Sequence, residues 1–466
     1  MKTTIPHSTL AAALFAAASL AGSNPFDDVN FKGATDKANP VGYAIGEPIV
    51  FTLRTENLAE VPTNDNYRIR WKRTGDDGLV KEGETPLRVG ETCVVTTRMD
   101  RAGFVRLEAH VVAGGGGHWV LRSKKAPGCP DWAQDKSVFF DGGAGVAVDQ
   151  IAQENPEPGD FDAYWKKQKE VLAKVPVTAE RKDLGTVNGC RVYAVSVACA
   201  GPRPATGYMY VPEGAAEKSC AARVAFQGYG AYRQGRPDWA SWSCAAKREI
   251  FFEVNAHGYD LERDKGYYDS FFKAINTSGK GYAFNAEENA DPDTCYFHGM
   301  LLRALRAVEY VKSLPEWDGK RLVAEGGSQG GLQTSWVAGL DPDISLARPS
   351  IVWGCDMGMP AGKSGRLHGY WHLPYGKGLD YYDSVNHIRR AKCPVEITRA
   401  GLGDYTCPPS GLAIYFNAIP GKKSINWVQG SQHGFVPPGK NQSIILGDFD
   451  PTGGESKSQN ASSDVK

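Results

Sequence analysis

A serine stands in the middle of a glycine-rich hexapeptide, GGSQGG, at residues 326–331. A strand-like apolar run at residues 321–324 precedes it, and a helix-like run at residues 332–340 follows it. Small residues two positions before and after a serine allow a sharp turn from strand to helix that exposes the hydroxyl. This context predicts that Ser328 is a nucleophile rather than an ordinary turn serine.

A serine hydroxyl becomes a good nucleophile when a histidine takes its proton and a carboxylate orients that histidine. Two later residues suit these roles, because Asp404 and His433 each stand in a loop just after a strand-like run. The chain order Ser328, Asp404, His433 is the order found in α/β-hydrolases. The residues therefore predict a nucleophile, an orienting acid and a general base.

Other titratable residues compete for these roles. Asp383 and Asp356 are alternative candidates for the carboxylate. Three further histidines, His368, His372 and His387, lie in an aromatic-rich stretch that lacks acidic partners at the spacing of a metal site. We therefore predict no metal site and no organic cofactor.

Acyl transfer also requires backbone N–H groups that face the developing oxyanion. The first donor is expected from Gln329, directly after the nucleophile. The second is expected from the loop QGYG at residues 227–230, which follows a strand-like run, and Tyr229 is the natural candidate there.

The elements around these residues alternate between short apolar strands and amphipathic helices. The strand candidates lie at residues 223–226, 250–254, 321–324, 350–353 and 394–398. The clearest helical stripe consists of Leu301, Leu305, Val308 and Val311. This order predicts an α/β fold with a mostly parallel sheet covered by helices on both faces. Ligands bind such sheets beyond the carboxyl ends of the strands, where the candidate residues lie.

The chain before this region has a different pattern. Residues 24–122 show β-rich runs of period two, which predict an all-β, immunoglobulin-like sandwich. Residues 123–159 are rich in Gly, Pro and Asp and are predicted to be a linker, residues 160–437 the α/β domain, and residues 438–466 a flexible tail. The sandwich either binds carbohydrate or packs on its neighbour, and we favour packing.

Residues 1–22 combine a basic Lys2 with a short apolar run at residues 10–20, as in a secretory signal peptide. We therefore expect a secreted or periplasmic protein, and no later run is long enough to span a membrane. The 53 basic and 53 acidic residues balance, which disfavours nucleic acid as a partner. The 10 cysteines include no C-x-x-C pair, which argues against a zinc finger.

Several motifs occur together in one order. They are FDAYW at residues 161–165, GYG at 228–230, GSQGG at 327–331, GLGD at 401–404 with CPPS at 407–410, and His433. Over roughly residues 161–435, the chain resembles the acetylxylan esterase and cephalosporin-C deacetylase family, carbohydrate esterase family 7, of α/β-hydrolases.

The resemblance implies a serine esterase that removes acetyl groups from acetylated xylan or xylo-oligosaccharides through an acetyl-enzyme intermediate. It also implies the triad and oxyanion donors predicted above. The chain departs from the family at Gln227, where histidine is common, and in its N-terminal β domain, which the compact, hexameric members lack. Whether the chain forms a homo-oligomer is left open by the sequence. The alternatives are a prolyl-oligopeptidase-type peptidase and a non-catalytic carbohydrate-binding protein.

Overall fold

The structure is a computed structural model that describes residues 24–130, 135–230, 235–357 and 373–450. The predicted signal peptide at residues 1–22 lies outside this range, as does the end of the predicted tail from residue 451. Among the helices described, none combines the length and the apolar character needed to cross a bilayer.

The first part of the described chain folds into a β-sandwich. Its strands are β1 (Asn30–Thr35), β2 (Ile49–Glu56), β3 (Arg68–Gly75), β4 (Lys81–Pro86), β5 (Cys93–Thr97), β6 (Gly103–Ala113), β7 (His118–Trp119) and β8 (Phe139–Val146). One sheet has the order β1-β2-β5, and the other has the order β4-β3-β6-β7 with β8 also paired to β6. Alternating apolar side chains of the two sheets, such as Phe51 and Leu107, meet in a shared core.

Strand β8 lies within the segment that was predicted to be a linker. It pairs antiparallel with β6 from Gly103↔Val146 to His110↔Phe139, so the sandwich extends to residue 146 rather than ending at residue 122. The period-two signal is missing from β8 because nearly all of its residues are buried and several are glycines. A strand covered on both faces loses the alternation by which sequence reveals it.

The second part of the described chain is built on one large sheet. Its strands are β9 (Ala179–Val187), β10 (Cys190–Val197), β11 (Ala205–Pro212), β12 (Cys220–Phe226), β13 (Glu249–Asn255), β14 (Trp317–Gly327), β15 (Leu346–Ser350), β16 (Val395–Gly401), β17 (Lys423–Val428) and β18 (Ser443–Gly447). The helices are α1 (Phe161–Ala173), α2 (Asp238–Lys247), α3 (Lys265–Ile275), α4 (Tyr296–Lys312), α5 (Gln329–Leu340), α6 (Ser384–Ile388) and α7 (Pro409–Ala418).

The order across this sheet is β18-β17-β16-β15-β14-β12-β13-β11-β10-β9. Strands β12 to β17 pair parallel with their neighbours in the centre, while β9 to β11 and β18 pair antiparallel at the two edges. The predicted stripe on α4 is buried in the core. The carboxyl ends of β12, β14, β16 and β17 therefore meet at one edge, where the candidate residues follow.

Two further predicted boundaries are corrected by the structure. Strand β15 ends at Ser350 rather than running over residues 350–353, because Ile351 has a φ of 40° and leaves the extended conformation. Strand β18 lies inside the predicted tail, where Ile444 and Leu446 pack against the main core. The surrounding residues are rich in Gly and Ser, so the composition of the segment predicted a flexible tail despite these two apolar residues.

A pair of thiols connects the sheet to a helix. Cys190 of β10 and Cys244 of α2 are buried free thiols whose sulfur atoms lie 2.6 Å apart. Disulfide sulfurs lie about 2.05 Å apart, so a small approach of the two cysteine side chains suffices for a bond.

We predict that oxidised glutathione converts Cys190 and Cys244 into a disulfide, with two electrons and two protons passing to the glutathione. Peptide mapping without reductant should recover one cross-linked peptide pair, about 2 Da lighter than the two separate peptides. Cys93, whose sulfur contacts Thr85, serves as the control and should be alkylated after unfolding. Full alkylation of Cys190 and Cys244 in the oxidised sample would contradict the prediction.

Candidate active site

Ser328 occupies a sharp turn between the end of β14 and the start of α5. Its backbone has a φ of 58° and a ψ of −121°, a conformation that is costly for any residue with a side chain. Two hydrogen bonds hold it: the Ser328 N–H donates to the Ser350 carbonyl at 3.0 Å, and the Trp353 N–H donates to the Ser328 carbonyl at 3.2 Å. The neighbouring strand thus maintains the strained turn that presents the hydroxyl.

The glycines around Ser328 are required by close backbone contacts. A Cβ at Gly326 would lie 2.6 Å from the backbone carbonyl carbon and oxygen of Gly330. A Cβ at Gly330 would lie 2.3 Å from the Phe226 carbonyl oxygen. Real Cβ atoms do not approach backbone this closely, so α5 can begin directly over β12 and β14 only with glycine at both positions.

The carboxylate and the histidine expected from the sequence lie together. Asp404 follows β16 and His433 follows β17, and His433 Nδ1 lies 3.0 Å from Asp404 Oδ2. Asp404 is fully buried, and its Oδ1 accepts the N–H groups of Thr406 and Cys407, each at 3.0 Å. A proton on Nδ1 pointing at a fixed carboxylate leaves the lone pair of Nε2 available as a base.

The Cys407 thiol lies next to both His433 and Ser328. Its sulfur is 3.8 Å from His433 Nδ1. Burial and the charge of Asp404 raise the pKa of Cys407 well above its usual value, while hydrogen bonding with the Ser328 side chain acts in the opposite direction. Within the described chain, no direct hydrogen bond joins the Ser328 hydroxyl to His433, and the Cys407 thiol is a side chain that neighbours both residues.

The loop with the second expected oxyanion donor runs beside the serine turn. Phe226, the last residue of β12, pairs in register with Gly326 of β14, so the residues after each strand are neighbours. The rings of Tyr229 and Tyr282 stack with centroids 4.1 Å apart. The Tyr282 hydroxyl donates to Gln329 Oε1 at 2.8 Å and accepts the Gly230 N–H at 2.9 Å, joining the two loops. Sequence reasoning missed Tyr282, since it belongs to no motif.

The rival carboxylates have other partners. Asp383 accepts hydrogen bonds from the backbone N–H groups of Asp356, Met357 and Val385, and so holds the loop after β15. Burial and the nearby Asp356 raise the pKa of Asp383 to about 7. Asp356 in turn accepts the backbone N–H of Glu154. The hydrogen bonds described above for Asp383 and Asp356 come from backbone N–H groups, whereas Asp404 bonds His433.

Of the three histidines in the aromatic-rich stretch, the structure describes His387. His387 is buried, its Nε2 lies 2.9 Å from the Tyr381 carbonyl, and burial lowers its pKa to about 3. It therefore stays neutral and acts as part of the core. His368 and His372 lie outside the described residues.

One group of described residues has ligand atoms close enough to share a metal ion: Asp404, Cys407 and His433, within 4.8 Å of one another. Their bonding fits another use. Both carboxylate oxygens of Asp404 already accept hydrogen bonds, and metal binding needs a thiolate, which the raised pKa of Cys407 disfavours. The arrangement suits a histidine base whose ring is oriented by a buried carboxylate.

Comparison with known proteins identifies the family. Residues 147–358 and 376–446, more than half of the chain, match the family described as Acetyl xylan esterase (AXE1). The chain belongs to the acetyl xylan esterase family. The resemblance predicted from the motifs is thereby confirmed, and the match begins directly after β8, so the sandwich lies outside it.

A curated relative matches this acetyl xylan esterase family member in sequence. The acetyl esterase Axe7A of Xylanibacter ruminicola is 30% identical over 294 residues, which are 60% of this chain and 64% of that relative. The chain thus spans less than two thirds of that relative's length.

Two solved structures also match this family member. An acetyl xylan esterase from Paenibacillus sp. R4 is 23% identical with a TM-score of 0.52, covering 62% of this chain and 94% of that chain. Acetyl Xylan Esterase 1 from Thermoanaerobacterium sp. JW/SL YS485 is 21% identical with a TM-score of 0.51, covering 61% and 92%. The predicted α/β-hydrolase fold is confirmed.

We predict that Gly330→Val lowers the free energy of unfolding by about 3 kcal/mol or more, since its Cβ meets the Phe226 carbonyl within a packed core. Gly421→Ala is the matched control, because a Cβ there has no neighbour within 4 Å and the change should stay within about 0.5 kcal/mol. Urea unfolding followed by circular dichroism measures both. Equal midpoints for the two variants would refute the packing argument.

Proposed function

We propose that this family member is a serine esterase that removes O-acetyl groups from carbohydrate, namely acetylated xylan or xylo-oligosaccharides. The observation that carries the proposal is the 3.0 Å hydrogen bond between His433 and the buried Asp404, next to the strained turn of Ser328. The names of the relatives, acetyl esterase and acetyl xylan esterase, support the acetyl group as the one removed. Export through residues 1–22, to the periplasm or the exterior, and self-association are parts of the same proposal.

The first half-reaction acylates the serine. The Ser328 oxygen attacks the acetyl carbonyl while its proton passes to His433 Nε2, and Asp404 stabilises the imidazolium that results. The backbone N–H groups of Gln329 and Tyr229 donate to the oxyanion, and the N-terminus of α5 adds its favourable field. The bond between the acetyl carbonyl carbon and the sugar oxygen then breaks, and His433 gives its proton to that oxygen, which leaves as a sugar hydroxyl.

The second half-reaction releases acetate. A water molecule gives a proton to His433 as its oxygen attacks the acetyl-Ser328 carbonyl, and the same N–H groups stabilise the second oxyanion. Collapse of this intermediate breaks the bond to Ser328, which regains its proton from His433. Each proton that leaves an oxygen is returned to one, so the cycle needs no added cofactor.

We predict that Ser328→Ala lowers the rate of acetate release by about 10³-fold or more, because the nucleophile is lost while the fold stays intact. The substrates are p-nitrophenyl acetate and acetylated xylo-oligosaccharides, and acetate is measured directly. Ser219→Ala is the matched control, since within the described residues this exposed hydroxyl bonds only the Ala216 carbonyl and the Cys220 thiol.

The same assay decides between the alternatives. Cleavage of a prolyl peptide by the wild-type protein, with no acetate released, would indicate a peptidase. Sugar binding without turnover of either substrate would indicate a binding protein. Retention of full activity by Ser328→Ala would remove the serine from the mechanism.

We predict that Asp404→Asn lowers kcat by up to about 10⁴-fold with a small change in KM, because an amide favours the wrong imidazole tautomer. Asp383→Asn, at the rival carboxylate, tests the assignment and should keep kcat within about threefold of wild type at temperatures where it is folded. The reverse result, with Asp383→Asn inactive and Asp404→Asn active, would assign the acid role to Asp383.

A further inference from the structure

The N-terminal sandwich packs on the two loops that carry Asp404 and His433. Arg106 of β6 and Asp141 of β8 lie on its outer face, and the guanidinium donates to the carboxylate through Nε at 2.9 Å and Nη2 at 2.6 Å. The Asp141 side chain is 6% exposed and that of Arg106 is 22% exposed. Glu108 is a second carboxylate, 2.9 Å from Arg106. A bidentate ion pair between an arginine and a carboxylate has one preferred geometry.

This ion pair touches the loop of Asp404. The Arg106 guanidinium lies over the ring of Tyr405, the residue after Asp404, at 4.1 Å from the ring centroid. On the other side of Asp404, a Cβ at Gly403 would lie 2.1 Å from the Asp141 carbonyl oxygen. The turn that presents Asp404 is therefore pressed against β8 by a contact that only glycine allows.

The loop of His433 is bound to the same strand. Gln429 is buried, and its carboxamide accepts the Gly143 N–H at 2.9 Å and donates to the Gly143 carbonyl at 2.8 Å. This pair of bonds ties the start of the His433 loop to the backbone of β8. Gln432, directly before His433, donates to Asp141 Oδ2 at 3.4 Å.

The two loops also bond each other, because the Gly403 N–H donates to the Ser431 carbonyl at 3.0 Å. Below them, the ring of Phe104 from β6 packs on that of Trp427 from β17 with centroids 5.3 Å apart. The loops therefore lie between the main sheet and the sandwich and are held from both sides. Catalytic side chains need placement to within about 0.5 Å, which free loops do not supply.

We propose that the sandwich sets the geometry of the acid and the base, with Arg106, Asp141 and Gln429 as positioning residues for Asp404 and His433. This inference rests on the proposed esterase function. It gives the sandwich a role in the reaction itself, in a region that lies before the part of the chain matched by the family.

The physical reason is that each of these contacts restricts the motion of the loop that carries Asp404 or of the loop that carries His433. Burial raises the pKa of Asp141 to about 6 while Arg106 opposes the rise, so deleting the guanidinium leaves a buried carboxyl without its partner. Loss of the guanidinium would itself release Tyr405, and the carboxyl would then turn or take up a proton and release Gln432. A displacement of about 1 Å at a catalytic group can cost 10²-fold in rate.

The test compares full-length Arg106→Met, Arg106→Lys and Gln429→Met with wild type, using p-nitrophenyl acetate and acetylated xylo-oligosaccharides. The matched control is Arg70→Met, which removes an arginine that pairs with Glu84 within the same sandwich, away from the two loops. kcat, KM and the pH dependence of kcat/KM are measured well below each Tm, with circular dichroism to verify folding.

We expect Arg106→Met and Gln429→Met to lower kcat by about 10- to 100-fold with KM within about threefold of wild type. The acidic limb of the kcat/KM profile should move, Arg106→Lys should recover part of kcat, and Arg70→Met should stay within about twofold. If Arg106→Met fails to fold, Gln429→Met carries the test, since its side chain is close in size and loses only the hydrogen bonds.

Unchanged kcat and an unchanged pH profile in folded Arg106→Met and Gln429→Met, with only a lower Tm, would overturn the inference and leave the sandwich a purely stabilising role. That outcome is distinct from failure of the proposed function. In the latter case the wild-type protein itself releases no acetate, or Ser328→Ala releases it at the wild-type rate.

Discussion

The hydrogen bond between His433 and Asp404 depends on the meeting of two strand ends at one edge of the sheet. Because β16 and β17 pair parallel, the loops that follow them emerge side by side, and the Gly403–Ser431 backbone hydrogen bond holds them together. The serine turn emerges after β14, which is two positions from β16 and three from β17 in the sheet order. The parallel centre of the sheet thus places the loops after β14, β16 and β17 within one candidate site. Contacts with the rest of the molecule fix the positions of these loops.

The glycines of the site are best understood through this constraint. Gly326 and Gly330 allow α5 to start directly above β12 and β14, while Gly403 allows the acid loop to contact β8. In each case a Cβ would meet backbone atoms at less than 3 Å. Backbone packed this tightly has little room to move, which explains how Ser328 is held at a positive φ and how the buried Asp404 keeps its orientation.

Prediction from sequence succeeded where the signal was local. The helix stripe on α4, the turn around Ser328 and the strands before Asp404 and His433 all follow from periodicity and glycine spacing within a few residues. It failed at β8 and β18, where burial on both faces or polar surroundings removed the alternation. It also missed Tyr282 and the pairing of Arg106 with Asp141, since these contacts join residues whose sequence separation carries no pattern.

The sequence by itself predicted the kind of chemistry, from an elbow serine, an aspartate and a histidine in α/β-hydrolase order, and it determined the family, which matches over more than half of the chain. Only the tertiary structure decided that Asp404, rather than Asp383, bonds His433, and that the sandwich lies against both loops. The reason is that residue types and spacing encode local turns and strands, whereas the choice among distant partners depends on how strands are ordered and which surfaces pack together.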